Sequence, residues 1–192
     1  VATHAGQAAD FHLRHGTTTM VASLVTASAP VLKEQVAALV PLVEQGVIGG
    51  IHLEGPWLSP QQCGAHDASL LRNPDAAELG ELLASGGVRM VTFAPELPGA
   101  LAAIRQTVEA GAVAAVGHTA CDYDTAVSAI EAGATVATHL FNRMPHLGKR
   151  HPGPVLAFLE DPRVVVELIA DGIHVDPHLL RYVVAVTGRA SV

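Results

Sequence analysis

Two kinds of segment alternate along this chain of 192 residues. The first is a nearly continuous apolar run rich in Val, Ile and Thr, which is typical of a strand that is buried on both faces. Such runs occur at 17–26, 47–53, 88–94, 113–118, 134–140 and 163–170. The second is rich in Ala and Leu, and its apolar positions recur with the helical period. The predicted helices occupy 31–45, 75–85, 98–110, 123–132, 153–160 and 176–187.

The regular alternation of strand and helix predicts an α/β fold, in which helical crossovers connect a parallel sheet. Two architectures fit this pattern: an open doubly wound sheet and a (β/α)8 barrel. No GxGxxG or Walker sequence follows a predicted strand, so a nucleotide-binding loop is not indicated. The choice between the two architectures depends on where the polar residues lie.

Polar side chains at the ends of the apolar runs favour the barrel. Glu54 ends the second predicted strand, His118 the fourth and His139 the fifth, and Asp171 and His174 follow the sixth. Barrel enzymes carry their chemistry at the carboxyl ends of strands around the whole rim, whereas an open sheet concentrates its site at one switch point. We therefore expect a (β/α)8 TIM-like barrel. A complete barrel takes about 250 residues, so residues 1–192, with about six βα units, are expected to be its central part.

Composition and charge narrow the function classes. The formal net charge is −7 with no basic stripe, which disfavours nucleic acid and anionic membranes as partners. No apolar run is long enough to predict a membrane-spanning helix. The two cysteines, Cys63 and Cys121, form no CxxC pair, which favours the reducing cytoplasm. Because neither an initiator Met nor a signal-like segment is present, we expect Val1 to be an interior point of a longer protein.

Glu54, His118 and His139 form a predicted metal-ligand set. Carboxylate and imidazole groups suit a divalent ion such as zinc, and three protein ligands leave a position open for water. Water bound there ionises near neutral pH and becomes a hydroxide nucleophile. The alternative is that three buried polar side chains are satisfied by backbone groups. Because the three residues stand at equivalent ends of three predicted strands, we favour the metal site.

Further candidates lie in the loops beyond the strands. His66, in the sequence CGAHD, either polarises a carbonyl group at the barrel mouth or is an ordinary exposed histidine. Basic side chains in the loop 138–153 would suit an anionic ligand, above all a phosphate, or would simply be solvated. The candidates in this loop are Asn142, Arg143, Lys149 and Arg150. His174 is a candidate for substrate contact, Asp171 is expected to cap its turn, and Glu96 is a candidate for helix capping or for supporting the site.

Several short motifs, taken together and in order, resemble those of a known family. They are HLEGPWL followed by GAHD, then TFAPE, VGHTA, ATHLFNRMP and IADGIHVD. Over nearly its whole length the chain is similar to the N-acetylglucosamine-6-phosphate deacetylase family of the amidohydrolase superfamily. The combination of HLEGP with THLFN is specific, whereas IADG alone would be weak. The resemblance implies metal-dependent hydrolysis of the acetamide of N-acetylglucosamine 6-phosphate to glucosamine 6-phosphate and acetate.

The resemblance also implies roles for individual residues. Glu54, His118 and His139 match the ligands of a divalent ion, most often Zn²⁺, with one or two ions per subunit. His66 matches a histidine that helps to polarise the acetamide carbonyl. The positions that match substrate contacts are Ala65, His66, Asn142, Arg143, Arg150 and His174. Since the arginine that Arg150 matches grips the phosphate across a subunit interface, a cytoplasmic homodimer acting on an amino-sugar phosphate is implied.

Two features of the family have no counterpart in residues 1–192. The sequence contains neither the His-x-His of an N-terminal strand nor the catalytic aspartate of a C-terminal strand. We therefore expect residues 1–192 alone to bind metal weakly and to turn over no substrate. Two other interpretations stay open at this point. One is a different amidohydrolase, such as a cyclic-amide hydrolase similar to the dihydroorotases, and the other is a non-catalytic, barrel-like binding protein.

Overall fold

Six parallel strands form the centre of the fold. The computed structural model describes residues 2–188, and the strands are β1 (Val21–Val25), β2 (Gly50–Glu54), β3 (Val88–Phe93), β4 (Val113–Val116), β5 (Val136–Ala137) and β6 (Val165–Val166). They lie side by side in sequence order, and every pair of neighbours is parallel. A doubly wound sheet reverses its strand order at a switch point. The sequential order therefore confirms the barrel type of α/β fold, and with six strands among residues 2–188 the barrel is partial.

Each strand is followed by a helix, as the alternating pattern predicts. The α-helices are α1 (Ala2–Arg14), α2 (Ala29–Glu44), α3 (Ala76–Leu83), α4 (Ala100–Glu109), α5 (Tyr123–Glu131), α6 (Gly153–Glu160) and α7 (Pro177–Thr187). Two short 3-10 helices, Pro60–Gln62 and Ala68–Leu70, lie in the loop between β2 and α3. None of the helices within residues 2–188 combines the length and the apolar character needed to cross a membrane.

The local sequence explains where several helices begin. The side chains of Asp75, Asp122 and Asp176 each accept a hydrogen bond from a backbone N–H in the first turn of α3, α5 and α7. These bonds satisfy donors that have no partner within the helix. Helix α1 is the one α-helix among residues 2–188 that the sequence pattern does not predict. Its only buried residue is the small Ala9, so it carries no stripe of large apolar side chains.

The packing of β2 determines what faces the site. Ile51 and Leu53 are fully buried in the apolar core, together with Leu32 of α2. Because side chains alternate along a strand, His52 and Glu54 point to the opposite face, toward the interior of the barrel. The apolar face therefore holds the strand in place, and the polar face ends at the rim where loops can carry functional groups.

Candidate metal centre

Three side chains from different strands meet at the carboxyl rim. Glu54 is the last residue of β2, and His118 and His139 follow β4 and β5. Glu54 Oε1 lies 3.2 Å from His118 Nε2 and 3.0 Å from His139 Nε2, and the two Nε2 atoms are 3.0 Å apart. Ligand atoms of a tetrahedral zinc site are separated by about 3.3 Å, given bonds of about 2.0–2.1 Å. The three residues, called the ligand triad below, therefore fit a metal ion.

The two histidines of the ligand triad leave strand geometry where they enter the site. His118 has φ 45° and His139 has φ 33°, both in the left-handed region that non-glycine residues rarely adopt. The carbonyl of His118 accepts a hydrogen bond from the Ser59 N–H at 2.9 Å, which ties this bend to the loop after β2. The bends turn both rings away from the alternating strand directions and toward Glu54. Such backbone strain is common at functional sites.

A second contact fixes the ring of His118. Its Nδ1 lies 2.8 Å from the carbonyl oxygen of Gln62, to which only a protonated Nδ1 can donate. In the neutral ring, Nε2 then keeps its lone pair free to bind a metal, as in known metal sites whose histidines are held by an outer partner. His139 differs, because its buried Nδ1 has no hydrogen-bond partner among residues 2–188.

The electrostatics of the ligand triad keep Glu54 ionised. Burial by itself raises the pKa of this carboxyl, but hydrogen bonds and charge from His118 and His139 in their protonated forms outweigh burial and hold the pKa well below its usual range. Glu167, which follows β6, is also near the site. Its pKa is raised, because burial outweighs the stabilising contact with His139. The site thus combines one firmly ionised carboxylate with two imidazoles, which is a suitable donor set for a divalent cation.

A chain of hydrogen bonds, which the sequence analysis missed, crosses the barrel interior below the ligand triad. Ser23 Oγ lies 2.9 Å from His52 Nδ1, His52 Nε2 lies 2.7 Å from Thr92 Oγ1, and Thr92 Oγ1 lies 2.8 Å from Thr138 Oγ1. Burial lowers the pKa of His52 to about 4, so the ring is neutral. The available signal was the spacing, since His52 stands two positions before Glu54 and shares its face.

Gly117, directly after β4, makes room for this chain of hydrogen bonds. A Cβ on Gly117 would lie 2.8 Å from Thr138 Cβ and 3.1 Å from Thr92 Cγ2. A side chain at this position would therefore separate the two threonines. The residue immediately before His118 is in this way part of the packing below the site.

His66 lies beside the ligand triad, with its ring centroid 4.5 Å from that of His118. The Thr26 backbone N–H donates to His66 Nδ1 at 3.3 Å, and Thr26 Oγ1 is 2.9 Å from the same atom. Because Nδ1 accepts a hydrogen bond from the backbone, the neutral ring carries its proton on Nε2. Burial first, and His118 second, lower the pKa of His66. A neutral ring with a free N–H can donate to a carbonyl oxygen.

The basic loop approaches the site only in part. Arg143 lies against the loop that carries Ala65 and His66, since a Cβ on Gly64 would be 3.0 Å from Arg143 Nε and 3.1 Å from His118 Cε1. Asn142 bonds through Nδ2 to the carbonyl of His139 at 3.1 Å. Arg143 and Asn142 are therefore next to the ligand triad. Ala65 is exposed on the neighbouring loop.

Two other predicted contacts are not brought to the ligand triad within residues 2–188. Arg150 is exposed and lines a separate cleft of about 540 Å³ with residues 120–124, Pro145 and residues 151–153. His174 is exposed and hydrogen-bonds to Asp171, with 2.7 Å between Nδ1 and Oδ2. Asp171 also accepts bonds from the N–H groups of Ile173 and His174, which agrees with its expected role in the turn. Lys149 is exposed in the same basic loop as Arg150.

The surroundings of Cys121 and Trp57 indicate structural roles. Cys121 is buried, and burial raises the pKa of its thiol to about 12. Cys63 is partly exposed, and both thiols are free. Trp57 is fully buried and stacks on Phe93 with 5.5 Å between ring centroids. Trp57 thus anchors the loop after β2 to the core.

Comparison with known proteins gives the same family as the sequence motifs. Residues 5–190 match the model of the amidohydrolase family. The N-acetylglucosamine-6-phosphate deacetylase of Bos taurus is 37% identical over 182 residues, covering 88% of this chain and 44% of that protein. The N-acetylgalactosamine-6-phosphate deacetylase of Escherichia coli O157:H7 is 37% identical over 170 residues, covering 85% of this chain and 45% of that protein. The chain thus spans less than half the length of these curated relatives.

A solved structure is similar over almost the whole chain. The N-acetyl-D-glucosamine-6-phosphate deacetylase from Mycobacterium smegmatis has a TM-score of 0.94 at 54% identity, covering 96% of this chain and 49% of that one. The structure of a mutant of that enzyme in complex with N-acetyl-D-glucosamine-6-phosphate gives the same values. The resemblance seen in the sequence motifs is confirmed by these comparisons.

Proposed function

Because the chain belongs to the amidohydrolase family, which its match over residues 5–190 establishes, we propose that the protein containing it hydrolyses the acetamide of N-acetylglucosamine 6-phosphate. The products are glucosamine 6-phosphate and acetate, and the role is in amino-sugar catabolism or recycling. The observation that carries the proposal is the convergence of Glu54, His118 and His139 on one point, with their ligand atoms within 4.8 Å of one another.

We propose that the ligand triad holds Zn²⁺, with one or two ions per subunit. The donor set supports a borderline divalent metal, because it combines one ionised carboxylate with two imidazole nitrogens. When bound, such an ion supplies Lewis-acid polarisation of a carbonyl and lowers the pKa of a bound water. Gln62 supports this role because its carbonyl accepts a hydrogen bond from His118 Nδ1, and in the neutral ring this leaves the lone pair on Nε2.

His66 is the residue of this chain that we propose as catalytic. Its Nε2–H, assigned from the two Thr26 contacts at Nδ1, donates to the acetamide oxygen. The hydrogen bond strengthens as negative charge develops on that oxygen during attack by water, so it stabilises the transition state more than the substrate. The general base, an aspartate in the family that the motifs resemble, is expected outside residues 1–192.

The remaining predicted residues are proposed to bind the sugar phosphate. Asn142 and Arg143 are adjacent to the ligand triad and would contact the sugar, together with the backbone of Ala65 and the ring of His174. We propose that Arg150 grips the phosphate of a neighbouring subunit in a homodimer. Support comes from its position, since its guanidinium is exposed and lines a cleft that excludes the ligand triad. Phosphate binding remote from the reacting bond would align the acetamide.

A second substrate deserves equal testing, namely N-acetylgalactosamine 6-phosphate. The deacetylase of that sugar from Escherichia coli O157:H7 has the same 37% identity as the glucosamine enzyme of Bos taurus. The cyclic-amide hydrolase and the non-catalytic binding protein are not favoured by the comparisons. We also propose a cytoplasmic location, supported by two cysteines that form no disulfide.

The test is acetate release by the complete natural polypeptide. We expect zinc-dependent turnover of N-acetylglucosamine 6-phosphate, slower turnover of the galactosamine epimer and none of dihydroorotate. Glu54→Gln should lower bound zinc and reduce kcat/KM by about 100-fold or more. The exposed Glu109→Gln should change neither, and it serves as the control. Full turnover after complete removal of metal, or no acetate release with zinc present, contradicts the proposal. Residues 1–192 alone should release no acetate.

A further inference from the structure

Glu96 lies in the loop after β3 and uses both carboxylate oxygens on the neighbouring loop. Oε2 accepts a hydrogen bond from Thr119 Oγ1 at 2.5 Å, and Oε1 accepts one from the Ala120 N–H at 2.6 Å. Both distances are short, as expected for bonds to an ionised acceptor. Helix α4 has Gly99 as its N-cap, so Glu96 caps no helix here. Its two partners instead are the two residues that directly follow the ligand His118.

Thr119 joins three loops of the rim. It is fully buried, and its N–H donates to the carbonyl of Arg143 at 3.1 Å. Its Oγ1 accepts a hydrogen bond from the Cys121 N–H at 3.0 Å, so the hydroxyl proton goes to Glu96. The loops after β3, β4 and β5 are therefore linked through this one residue, by its side chain to Glu96 and by its backbone N–H to Arg143. The link runs from Glu96 to the loop that carries Asn142 and Arg143.

The backbone around His118 is held on both sides. Before it, the Gly117 N–H donates to the carbonyl of Phe93 at 3.2 Å, and after it Glu96 holds Thr119 and Ala120. His118 itself has φ 45°, which an L-residue adopts only when its surroundings impose it. The strand fixes the entry to this bend, and among residues 2–188 the Glu96 carboxylate is the only partner of the Ala120 N–H at its exit.

We propose that Glu96 is a positioning residue for the metal centre. Its carboxylate holds the exit of the His118 bend and thereby aims His118 Nε2 at Glu54 and His139. The inference rests on the proposed metal site. It goes beyond that site because Glu96 contributes no ligand atom and acts only through Thr119 and Ala120. Outer residues that orient ligands are known to affect metal affinity by about 10- to 100-fold.

The experiment uses the complete natural polypeptide loaded with Co²⁺, whose visible spectrum reports ligand geometry. We expect Glu96→Ala to weaken cobalt affinity by about 10-fold or more in chelator competition and to alter the spectrum. Glu96→Gln keeps a carbonyl for the Ala120 N–H but leaves the Thr119 hydroxyl proton unpaired, so we expect partial rescue. If Glu96→Ala does not fold, the same measurements on Glu96→Gln test the proposal.

The matched control is Asp75→Ala. Asp75 also accepts two hydrogen bonds, from the N–H groups of Ala77 and Glu78 at the start of α3, and its loss should lower stability. We expect it to leave cobalt affinity within about twofold. Wild-type affinity and spectrum in both Glu96 variants would overturn the proposal and make Glu96 purely structural. A wild-type protein that binds no cobalt would overturn the metal site as well, which separates the two failures.

Discussion

Thr92 is the central link of the hydrogen-bond chain below the ligand triad, and Thr92→Val tests what that chain contributes. Valine has nearly the same shape as threonine, so the change replaces the hydroxyl by a methyl group and leaves the rest of the side chain as it was. Two partners are left behind, His52 Nε2 and Thr138 Oγ1, which now lie 2.7 and 2.8 Å from Thr92 Oγ1. Both residues are buried, with 3% and 2% of their surface exposed. Water cannot replace the lost partner without rearrangement.

The expected cost follows from the two abandoned groups. A buried polar group without a partner costs about 1–3 kcal/mol, so two of them cost about 2–6 kcal/mol. The added methyl group offsets about 0.8 kcal/mol at most. Thr107→Val is a matched control, because Thr107 is equally buried but bonds to the carbonyl of Ala103 within its own helix α4. No group loses its only partner there, and we expect a change within about 1 kcal/mol.

Urea unfolding of the complete polypeptide, without metal, measures both variants. We expect Thr92→Val to lose at least about 2 kcal/mol more than Thr107→Val. Thr92→Ser keeps the hydroxyl and should lose only the packing of one methyl group, about 1 kcal/mol. Equal losses for the two valine variants would refute the reasoning, because the interior hydrogen bonds would then carry no more stability than a redundant one.

Three further outcomes are expected. The carboxyl of Asp171 should titrate at about 2 by NMR, because the backbone N–H groups of His174 and Ile173 lower its pKa. The contribution of the ionised carboxylate to folding stability is complete above the ordinary pKa of 3.8 and is lost as the pH falls through about 2. His174→Ala keeps both backbone donors, so a return to 3.8 in that variant would show that the ring dominates. Gly55→Ala should cost about 1–3 kcal/mol more in thermal unfolding than Gly86→Ala. Both glycines have positive φ, but only at Gly55 would a Cβ meet Thr26 Oγ1, at 2.2 Å; equal costs would contradict this. Iodoacetamide at about pH 8 should leave Cys121 unmodified in the folded protein and label it after unfolding, because burial raises its pKa to about 12; labelling of the folded protein would be the contrary result.

The sequence predicted the fold and the convergence of the ligand triad for the same reason. Strands buried on both faces appear as apolar runs, and a polar residue that ends such a run is conspicuous. Glu54, His118 and His139 each stand at such an end, and parallel strands bring these ends to one rim. The predicted helices were confirmed wherever an apolar stripe faces the core, whereas α1 was missed because Ala9 is its only buried residue.

The supporting contacts were not predictable because they join loops that are distant in sequence. Glu96 and Thr119 are 23 residues apart, and His66 and Thr26 are 40 apart. No local pattern pairs such positions. His52 was not predicted because its partners, Ser23 and Thr92, lie on the two neighbouring strands, 29 and 40 residues away in sequence. The proposed roles of Arg150 and His174 stay predictions, because the contacts within residues 2–188 do not join them to the ligand triad.

The bends at His118 and His139 limit how far this site can be transplanted. An engineer who copied the three side chains onto a barrel with unbroken strands would obtain the right residues at the right heights. The two rings would nevertheless follow the regular strand alternation and miss the common point. A working graft would also need the left-handed backbone at both histidines and the small residue at Gly117. A graft must therefore transfer the bent backbone after each strand together with the contacts that hold it. The identities of the three side chains alone are insufficient.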